Sequence, residues 1–247
     1  MKVSYFETGR YVAPPDLPRE WPVPPSWYDP DVGTEALRGM VERVKFVEQL
    51  GFGWISLSEH HYSPRILTPS PVVSATWLAA RTEKIKIAML GPIVPVGNPI
   101  RIAEEMAMLD TLAPERIIVG LLRSTTNEYI SYDLNPKEAR DHTDEGMELL
   151  LKAWTEPQPF GWQGRHFQYR TVSIWPRPQH QPHPDLCAGH QRGGGRIRGA
   201  ASAGSGRLVW HIRADVGGEA ALSRGMCALR LGTWAGRHHQ PRQHDPR

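Results

Sequence analysis

The residues of this sequence best suited to proton transfer are Glu59, His60 and His61, which follow one another directly. They come immediately after the apolar run WISLS (54–58), which predicts a buried strand. A histidine can exchange a proton with a reacting oxygen near neutral pH, and a neighbouring carboxylate can fix its tautomer. Taken alone, the tripeptide favours the alternative interpretation, a hydrogen-bonded structural pair without a catalytic role.

Strand and helix patterns alternate around this tripeptide. Short β-rich runs predict strands at 2–6, 54–58, 84–90 and 116–122. Apolar residues at helical spacing predict helices at 34–50, 71–80, 100–112 and 138–154. This order implies parallel strand–helix–strand units, and hence a doubly wound sheet or a barrel. A barrel of this kind carries its catalytic groups at the carboxyl ends of its strands.

Two segments interrupt the alternation. Between 11 and 31, seven prolines are interleaved with Trp21, Trp27 and Tyr28, which excludes regular helix and favours stiff, extended backbone. This segment is either a surface arm or a cover for an active site, and the sequence does not separate the two interpretations. Between 160 and 178, aromatic and β-branched residues predict a two-stranded excursion.

Composition and charge exclude several classes of protein. The 247-residue chain is 40% hydrophobic and 22% charged, the range of an ordinary soluble globular protein. Its net charge of +3 does not indicate a nucleic-acid-binding surface. No apolar run is long enough for a membrane helix. With only two cysteines, Cys187 and Cys227, we expect no disulfide framework and no metal site. We also expect a cytoplasmic location, since the first residues lack the apolar core of a signal peptide.

Three motifs resemble the bacterial-luciferase-like family of flavin-dependent monooxygenases in order and spacing. They are EHHYS (59–63), NPIRIAEE (98–105) and RIIVGLLR (116–123). The resemblance covers residues 1–178 and implies an α/β fold, the TIM-type (β/α)8 barrel. In that family the barrel binds reduced FMN, or in some relatives the deazaflavin F420, at the carboxyl ends of its strands.

The resemblance also assigns roles to residues after the second and third strands. His60 matches the family histidine that lies close to the flavin and acts as an acid or base, and Glu59 and His61 complete the catalytic group. Leu90 and Gly91 match the end of the third strand, where the family has a cis peptide against the flavin ring. Gly91 lacks a Cβ and lets a ring approach closely, although an ordinary strand end is the alternative.

Further cofactor contacts are implied for Asn98, Arg123, Asn127 and Glu128. Asn98 matches a position beside the flavin ring, and a simple turn residue is an equally good interpretation. Arg123 matches the arginine after the fourth strand, whose planar guanidinium suits the flavin phosphate. Asn127 and Glu128 are weaker candidates for contact with the flavin or the substrate.

The reaction implied by the resemblance is oxygenation. Reduced FMN reacts with O2, and one oxygen atom is inserted into a small organic substrate. A flavin reductase would supply the reduced flavin, and we expect a homo-oligomer. Two alternatives remain open from the sequence: an F420-dependent oxidoreductase on the same barrel, and a non-catalytic fragment.

The sequence departs from the family pattern at two places. Relatives commonly have glycine where this chain has Ser124, so we expect a different local turn there. From 179 to 247, Lys, Phe and Tyr are absent while Arg, Gly, Ala and His dominate. These 69 residues cannot hold four more strand–helix units of about 30 residues each. We therefore expect an incomplete barrel of four to five units in 1–178, and an irregular tail in 179–247 that is either disordered or the product of a shifted reading frame.

Overall fold

The computed structural model describes residues 4–179, 186–191 and 210–214. Within these ranges the strands are β1 (Ser4–Glu7), β2 (Trp54–Ser58), β3 (Lys86–Ile93), β4 (Ile117–Leu122), β5 (Phe160–Gln163), β6 (Gln168–Val172), β7 (Leu186–Gln191) and β8 (Trp210–Ala214). Six of them form a parallel sheet in the order β1-β2-β3-β4-β7-β8, and β5 and β6 form a separate antiparallel hairpin. The sheet is the parallel α/β architecture that the sequence predicts.

Helices connect the parallel strands. They are α1 (Pro30–Gln49), α2 (Pro71–Ala79), α3 (Pro99–Leu112), α4 (Thr126–Ser131) and α5 (Ala139–Thr155), with one turn of 3₁₀ helix at Pro25–Trp27. The helices and the sheet share one apolar core, in which Ile55, Leu57 and Met89 are fully buried. Among the described helices, none is long and apolar enough to cross a membrane.

Three of the helices begin in the same way, with a capping side chain followed by proline. Asp29, Ser70 and Asn98 each accept hydrogen bonds from backbone NH groups of the next turn, at the starts of α1, α2 and α3. Proline suits the first helical position because its missing NH would have no partner there. α1 therefore begins at Pro30, earlier than the predicted start at 34.

Two elements differ from the sequence prediction within the first four units. β3 continues through Gly91 to Ile93, beyond the predicted end at 90, and its pairing with β4 shifts register between Leu90 and Ile93. α4 is a short helix where no element is predicted, and it begins with Glu128 accepting a hydrogen bond from the backbone NH of Thr125.

Two strands lie in the stretch where the sequence predicts an irregular tail. β7 pairs in parallel with β4, and β8 pairs in parallel with β7. In the described residues β1 and β8 are the two ends of the sheet, so the barrel is not closed. The other residues beyond Gln179 lie outside the described ranges, and so do the predictions made for them.

The β5–β6 hairpin is fastened to α5 by one carboxylate. Glu145 accepts hydrogen bonds from the backbone NH groups of Arg165, His166 and Phe167, at 2.9 to 3.0 Å. α5 is in turn fixed on α3, because the buried indole of Trp154 donates to the carbonyl oxygen of Ala103 at 2.9 Å. The hairpin therefore packs against the helical layer while the parallel sheet remains intact.

Arg116 ties together the amino ends of β3 and β4. Its guanidinium donates to the carbonyl oxygens of Ala79, Thr82 and Ile85 at 3.2, 2.9 and 3.1 Å, and to the Thr82 hydroxyl at 2.6 Å. A charged donor satisfies these oxygens more strongly than a neutral one. This end of the sheet is therefore held by polar contacts, away from the candidate site.

We expect Arg116→Ala to lower the free energy of unfolding by about 3 kcal/mol, because three carbonyl oxygens lose their donor at once. The matched control is Arg101→Ala, which removes an exposed pair with Glu105 at 2.8 Å and should cost less than about 1 kcal/mol. Urea denaturation of both variants measures the difference. Equal losses would show that the Arg116 contacts add nothing beyond a surface ion pair.

Candidate active site

Glu59, His60 and His61 lie where β2 ends, at the carboxyl edge of the parallel sheet. The His61 ring is held from both sides: Nε2 lies 3.0 Å from Glu59 Oε1, and Nδ1 lies 2.9 Å from the hydroxyl of Tyr132. The tautomer that satisfies both contacts has the hydrogen on Nε2, which donates to Glu59, and leaves Nδ1 to accept from the tyrosine hydroxyl. Burial, together with the nearby Tyr62, Glu59 and Glu128, raises the pKa of Tyr132. The tyrosine therefore keeps its proton near neutral pH.

Glu59 also joins β2 to the bend of β3. Its second oxygen, Oε2, accepts from the backbone NH of Ile93 at 3.1 Å. Gly91 has φ +123°, and a Cβ at this position would lie 2.8 Å from Glu59 Cβ. Any other residue would therefore be strained and would displace Glu59.

The family has a cis peptide at the end of the third strand, whereas the peptide between Leu90 and Gly91 is trans in this structure. The cis bonds in the described residues precede Pro22 and Pro176. The positive φ of Gly91 produces the bend with a trans peptide, and β3 continues for two residues beyond the glycine.

Glu128 lies beneath both histidines and is fully buried. Its Oε1 lies 3.5 Å from Nδ1 of His60 and accepts from the backbone NH of His61 at 3.3 Å. Its Oε2 accepts from the backbone NH of Thr125 at 3.0 Å and from the Thr125 hydroxyl. Burial alone would raise the pKa of this carboxyl, but the hydrogen bonds from His60, Thr125 and His61 outweigh it and lower the pKa to about 2. Glu128 is therefore ionised at neutral pH.

The buried carboxylate sets the orientation of His60. With Glu128 as an acceptor, Nδ1 of His60 carries the hydrogen, and Nε2 is left with a lone pair. The side chain is 31% exposed and borders a cavity of about 640 Å³. The backbone NH of His60 donates to the carbonyl oxygen of Thr68 at 3.2 Å, and this bond holds the backbone that carries the ring. His60 can thus accept a proton from the cavity while Glu128 stabilises the resulting charge.

The proline-rich arm at 11–31 forms one wall of this cavity, and the loop at 60–69 forms the other. A backbone hydrogen bond joins them, from Tyr11 NH to Arg65 O at 3.1 Å, and Gly9, two residues before the arm, accepts from Leu67 NH at 3.2 Å. The indole NH of Trp21 donates to Tyr62 O at 3.3 Å. Of the two interpretations of the arm, its position beside His60 favours the cover.

The remaining predicted site residues are placed differently. Leu90 and Arg123 are half-buried near the carboxyl ends of the neighbouring strands β3 and β4. Asn98 is the cap of α3, since its Oδ1 accepts from the NH groups that follow Pro99, so the turn interpretation describes its contacts. Asn127 is exposed on α4. Glu128 is fully buried and contacts His60, His61 and Thr125.

Two residues of the site escape sequence reasoning. Tyr132 is separated from His61 by 71 positions, and no local pattern connects them. The contact between Thr125 and Glu128 has a readable signal, because Thr-x-x-Glu is the pattern of a helix cap. Recognising that cap would predict α4 and would place Glu128 in its first turn.

Ser124 adopts φ 145°, in a region of backbone conformation that favours glycine. The residue is buried, and its hydroxyl donates to the carbonyl oxygen of Thr125 at 3.3 Å. The turn thus keeps a glycine-like shape although the residue is serine. The predicted change of turn therefore does not occur; the turn keeps its shape and the backbone of Ser124 is strained instead.

We expect Ser124→Gly to raise the free energy of unfolding by about 1 kcal/mol, because relief of strain exceeds the added freedom of the unfolded glycine. Ser131→Gly, in the last turn of α4, should act in the opposite direction by about 0.5–1 kcal/mol. Urea denaturation of the two variants gives both signs. A loss of stability in Ser124→Gly would show that the serine hydroxyl outweighs the strain.

The depressed pKa of Glu128 predicts a specific loss of stability in acid. Its contribution is fully present above the ordinary pKa of 4.5 and is lost as the pH falls toward about 2. We expect the difference in unfolding free energy between wild type and Glu128→Gln to shrink by up to about 3 kcal/mol over that window. Glu42→Gln, at a side chain that is 75% exposed, should show no such change. Parallel curves for wild type and Glu128→Gln would contradict the assignment.

Among curated proteins, the chain is 30% identical over 156 residues to the uncharacterized protein y4wF of Sinorhizobium fredii, covering 62% of this chain and 45% of that protein. It is also 30% identical over 144 residues to the alkanal monooxygenase alpha chain of Photorhabdus luminescens, covering 58% of this chain and 40% of the relative. The chain thus spans less than half the length of these curated relatives.

Solved structures resemble the fold at low identity. The monooxygenase RslO1 from Streptomyces bottropensis has a TM-score of 0.61 and 23% identity, over 76% of this chain and 53% of that chain. An F420-dependent secondary alcohol dehydrogenase has a TM-score of 0.60 and 16% identity, over 77% and 52%. A type II Baeyer–Villiger monooxygenase of Pseudomonas putida, in complex with FMN, has a TM-score of 0.57 and 15% identity, over 78% and 52%. These neighbours establish the fold as the luciferase-like TIM-barrel type.

The sequence model of the luciferase-like monooxygenases matches residues 21–226, which include the second half of the proline-rich arm, the histidine pair and both strands beyond Gln179. Together with the arrangement at the carboxyl edge of the sheet, this match shows that the chain belongs to the luciferase-like monooxygenase family.

Proposed function

We propose that the chain carries the substrate side and the flavin-ring side of a flavin-dependent monooxygenase, which inserts one atom of O2 into an organic substrate. The observation that carries the proposal is the pair of His60 and the buried Glu128, beside an apolar cavity at the carboxyl edge of a parallel sheet. Folds of this type hold their reacting groups at that edge. Membership of the family supports oxidoreductase chemistry there.

The donor set fits a phosphorylated flavin. Arg123 directly follows β4 and offers a planar guanidinium for a phosphate. Leu90 is half-buried on the neighbouring strand and offers an apolar surface for a ring. Reduced flavin, when bound, supplies the electrons that activate O2. The protein holds the ring, excludes water and moves the proton.

His60 moves that proton. Its Nε2, directed away from Glu128, accepts a proton from a substrate or from water in the cavity, and Glu128 stabilises the imidazolium that results. Because Glu128 stays ionised down to about pH 2, a negative charge faces Nδ1 of His60 throughout the neutral range. Glu59 and His61 act as positioning residues, since their contacts go to each other, to Tyr132 and to the backbone of β3.

Two alternatives remain within reach of experiment. The fold neighbours include an F420-dependent alcohol dehydrogenase and a monooxygenase in complex with FMN, so either cofactor is compatible with the fold. The second alternative is a non-catalytic fragment, because the chain spans about half of each neighbour. A flavin reductase as electron donor and a homo-oligomeric assembly are further parts of the proposal.

Anaerobic titration with reduced FMN, followed by mixing with O2, tests the proposal. We expect micromolar binding by wild type and a reaction of the bound flavin with O2. His60→Gln should bind FMN within about twofold of wild type and slow that reaction by about 100-fold or more, since a positioned proton-transfer group contributes at least that much. Arg123→Met should weaken FMN binding by about tenfold or more, and Arg123→Lys should recover part of it.

Arg165→Met is the matched control, because this arginine is 67% exposed on the hairpin and pairs with Glu138. It should leave FMN binding unchanged. Preferential binding of F420 would support the deazaflavin alternative. Failure to bind either cofactor would support the fragment and would contradict the proposed function.

A further inference from the structure

The cavity beside His60 is uncharged. None of its sixteen lining residues is Asp, Glu, Lys or Arg within the described part of the chain, and His60 is the single imidazole among them. A charged ligand would leave water without finding a partner of opposite sign, which is strongly unfavourable. The volume of about 640 Å³ lies in the range of pockets for drug-sized molecules. The cavity is therefore suited to a neutral ligand of several rings or a comparable chain.

The walls of the cavity are rich in aromatic rings and prolines. Four of the lining residues carry flat aromatic rings, and five are prolines, whose puckered rings are apolar and rigid: Tyr11, Trp27, Tyr28, Tyr62, Pro22, Pro24, Pro25, Pro64 and Pro69. Tyr11 and Tyr28 are already stacked, with centroids 5.6 Å apart and planes 24° apart. Aromatic pairs gain about 0.5–1.5 kcal/mol beyond the burial of area. The flat aromatic faces thus favour a flat ligand.

The cavity is also stiff. The prolines fix φ on both walls, and the backbone hydrogen bonds from Tyr11 to Arg65 and from Leu67 to Gly9 tie the loop to the arm and to the residues just before it. The Tyr11 hydroxyl accepts from the backbone NH of Asp29 at 2.8 Å, which fastens the far end of the arm. A preformed cavity binds a rigid ligand more tightly than a flexible one, because a flexible chain loses rotamer freedom on binding.

Aromatic surface continues from the cavity to the outside. Tyr62 lines the cavity and is 61% exposed, and its ring lies between those of Trp21 and Tyr132, with centroids 6.4 Å away on each side. Tyr62 has φ 51°, an unfavourable value for a bulky residue that the surroundings impose. Strain of this kind is concentrated where a side chain is held out for a ligand.

We infer that this cavity binds a neutral molecule of fused or linked aromatic rings, in preference to an aliphatic chain or a charged molecule. The ligand lies against Tyr11, Trp27, Tyr28 and Tyr62, with one polar group toward His60. Calling this ligand the substrate rests on the proposed function, whereas its binding does not.

Calorimetric titration of the full chain, without flavin, tests the inference with three probes. 2-Naphthol is a neutral ring system, 1-decanol has the same number of carbon atoms and one hydroxyl but no ring, and 2-naphthoate is the charged counterpart. We expect 2-naphthol to bind about tenfold more tightly than either of the other two. Tighter or equal binding of 1-decanol or 2-naphthoate would overturn the inference, and so would the absence of binding by all three.

Variants locate the binding in the cavity. Tyr62→Leu and Tyr28→Leu, at side chains that are 61% and 47% exposed, should each weaken 2-naphthol binding by about fivefold and leave 1-decanol unchanged. Trp175→Leu is the matched control, because this ring is 84% exposed and does not line the cavity. Equal effects of all three substitutions would overturn the location. Binding of 2-naphthol by a chain that binds no flavin would contradict the proposed function alone.

Discussion

The candidate site depends on the burial of one carboxylate, that of Glu128. Removing an ion from water costs several kcal/mol, so the charge is tolerated only where donors surround it. The donors come from two separate segments: His60 and His61 after β2, and Thr125 at the start of α4. Neither segment can satisfy the carboxylate alone. The charge therefore forces the loop after β2 and the start of α4 into one arrangement, and the ring of His60 takes its direction from that arrangement.

The elements of the fold follow from sequence patterns wherever the pattern is local. Apolar spacing predicts the first three crossover helices and the first four parallel strands, and the hairpin at 160–178 forms as expected. The misses have physical reasons. The start of α1 at Pro30 depends on the cap formed by Asp29, which apolar periodicity does not register. The strands β7 and β8 are defined by pairing with distant strands, so an Arg-rich and Gly-rich composition gives no local sign of them.

The candidate site likewise contains residues that the local sequence identifies and residues that only the fold brings together. Glu59, His60 and His61 are adjacent in sequence and follow a buried strand, so residue type and position identify them. Their partners Tyr132 and Glu128 stand on the segment after β4, and only the parallel pairing of the strands brings that segment to the histidines. The resemblance names Glu128 as a candidate contact for the flavin or the substrate, and the structure shows its side chain fully buried against His60 and Thr125.

The two walls of the cavity have a further consequence, because both lie within one continuous stretch of about sixty residues. The arm at 11–31 and the loop at 60–69 contact each other, and the loop touches the rest of the site through His60, His61 and Tyr62. Arg123 and Glu128, which serve the cofactor and hold the histidine, belong to later segments. Exchanging the stretch would therefore replace the recognition surface and His60 together, and any replacement must present a histidine that fits the buried carboxylate of Glu128.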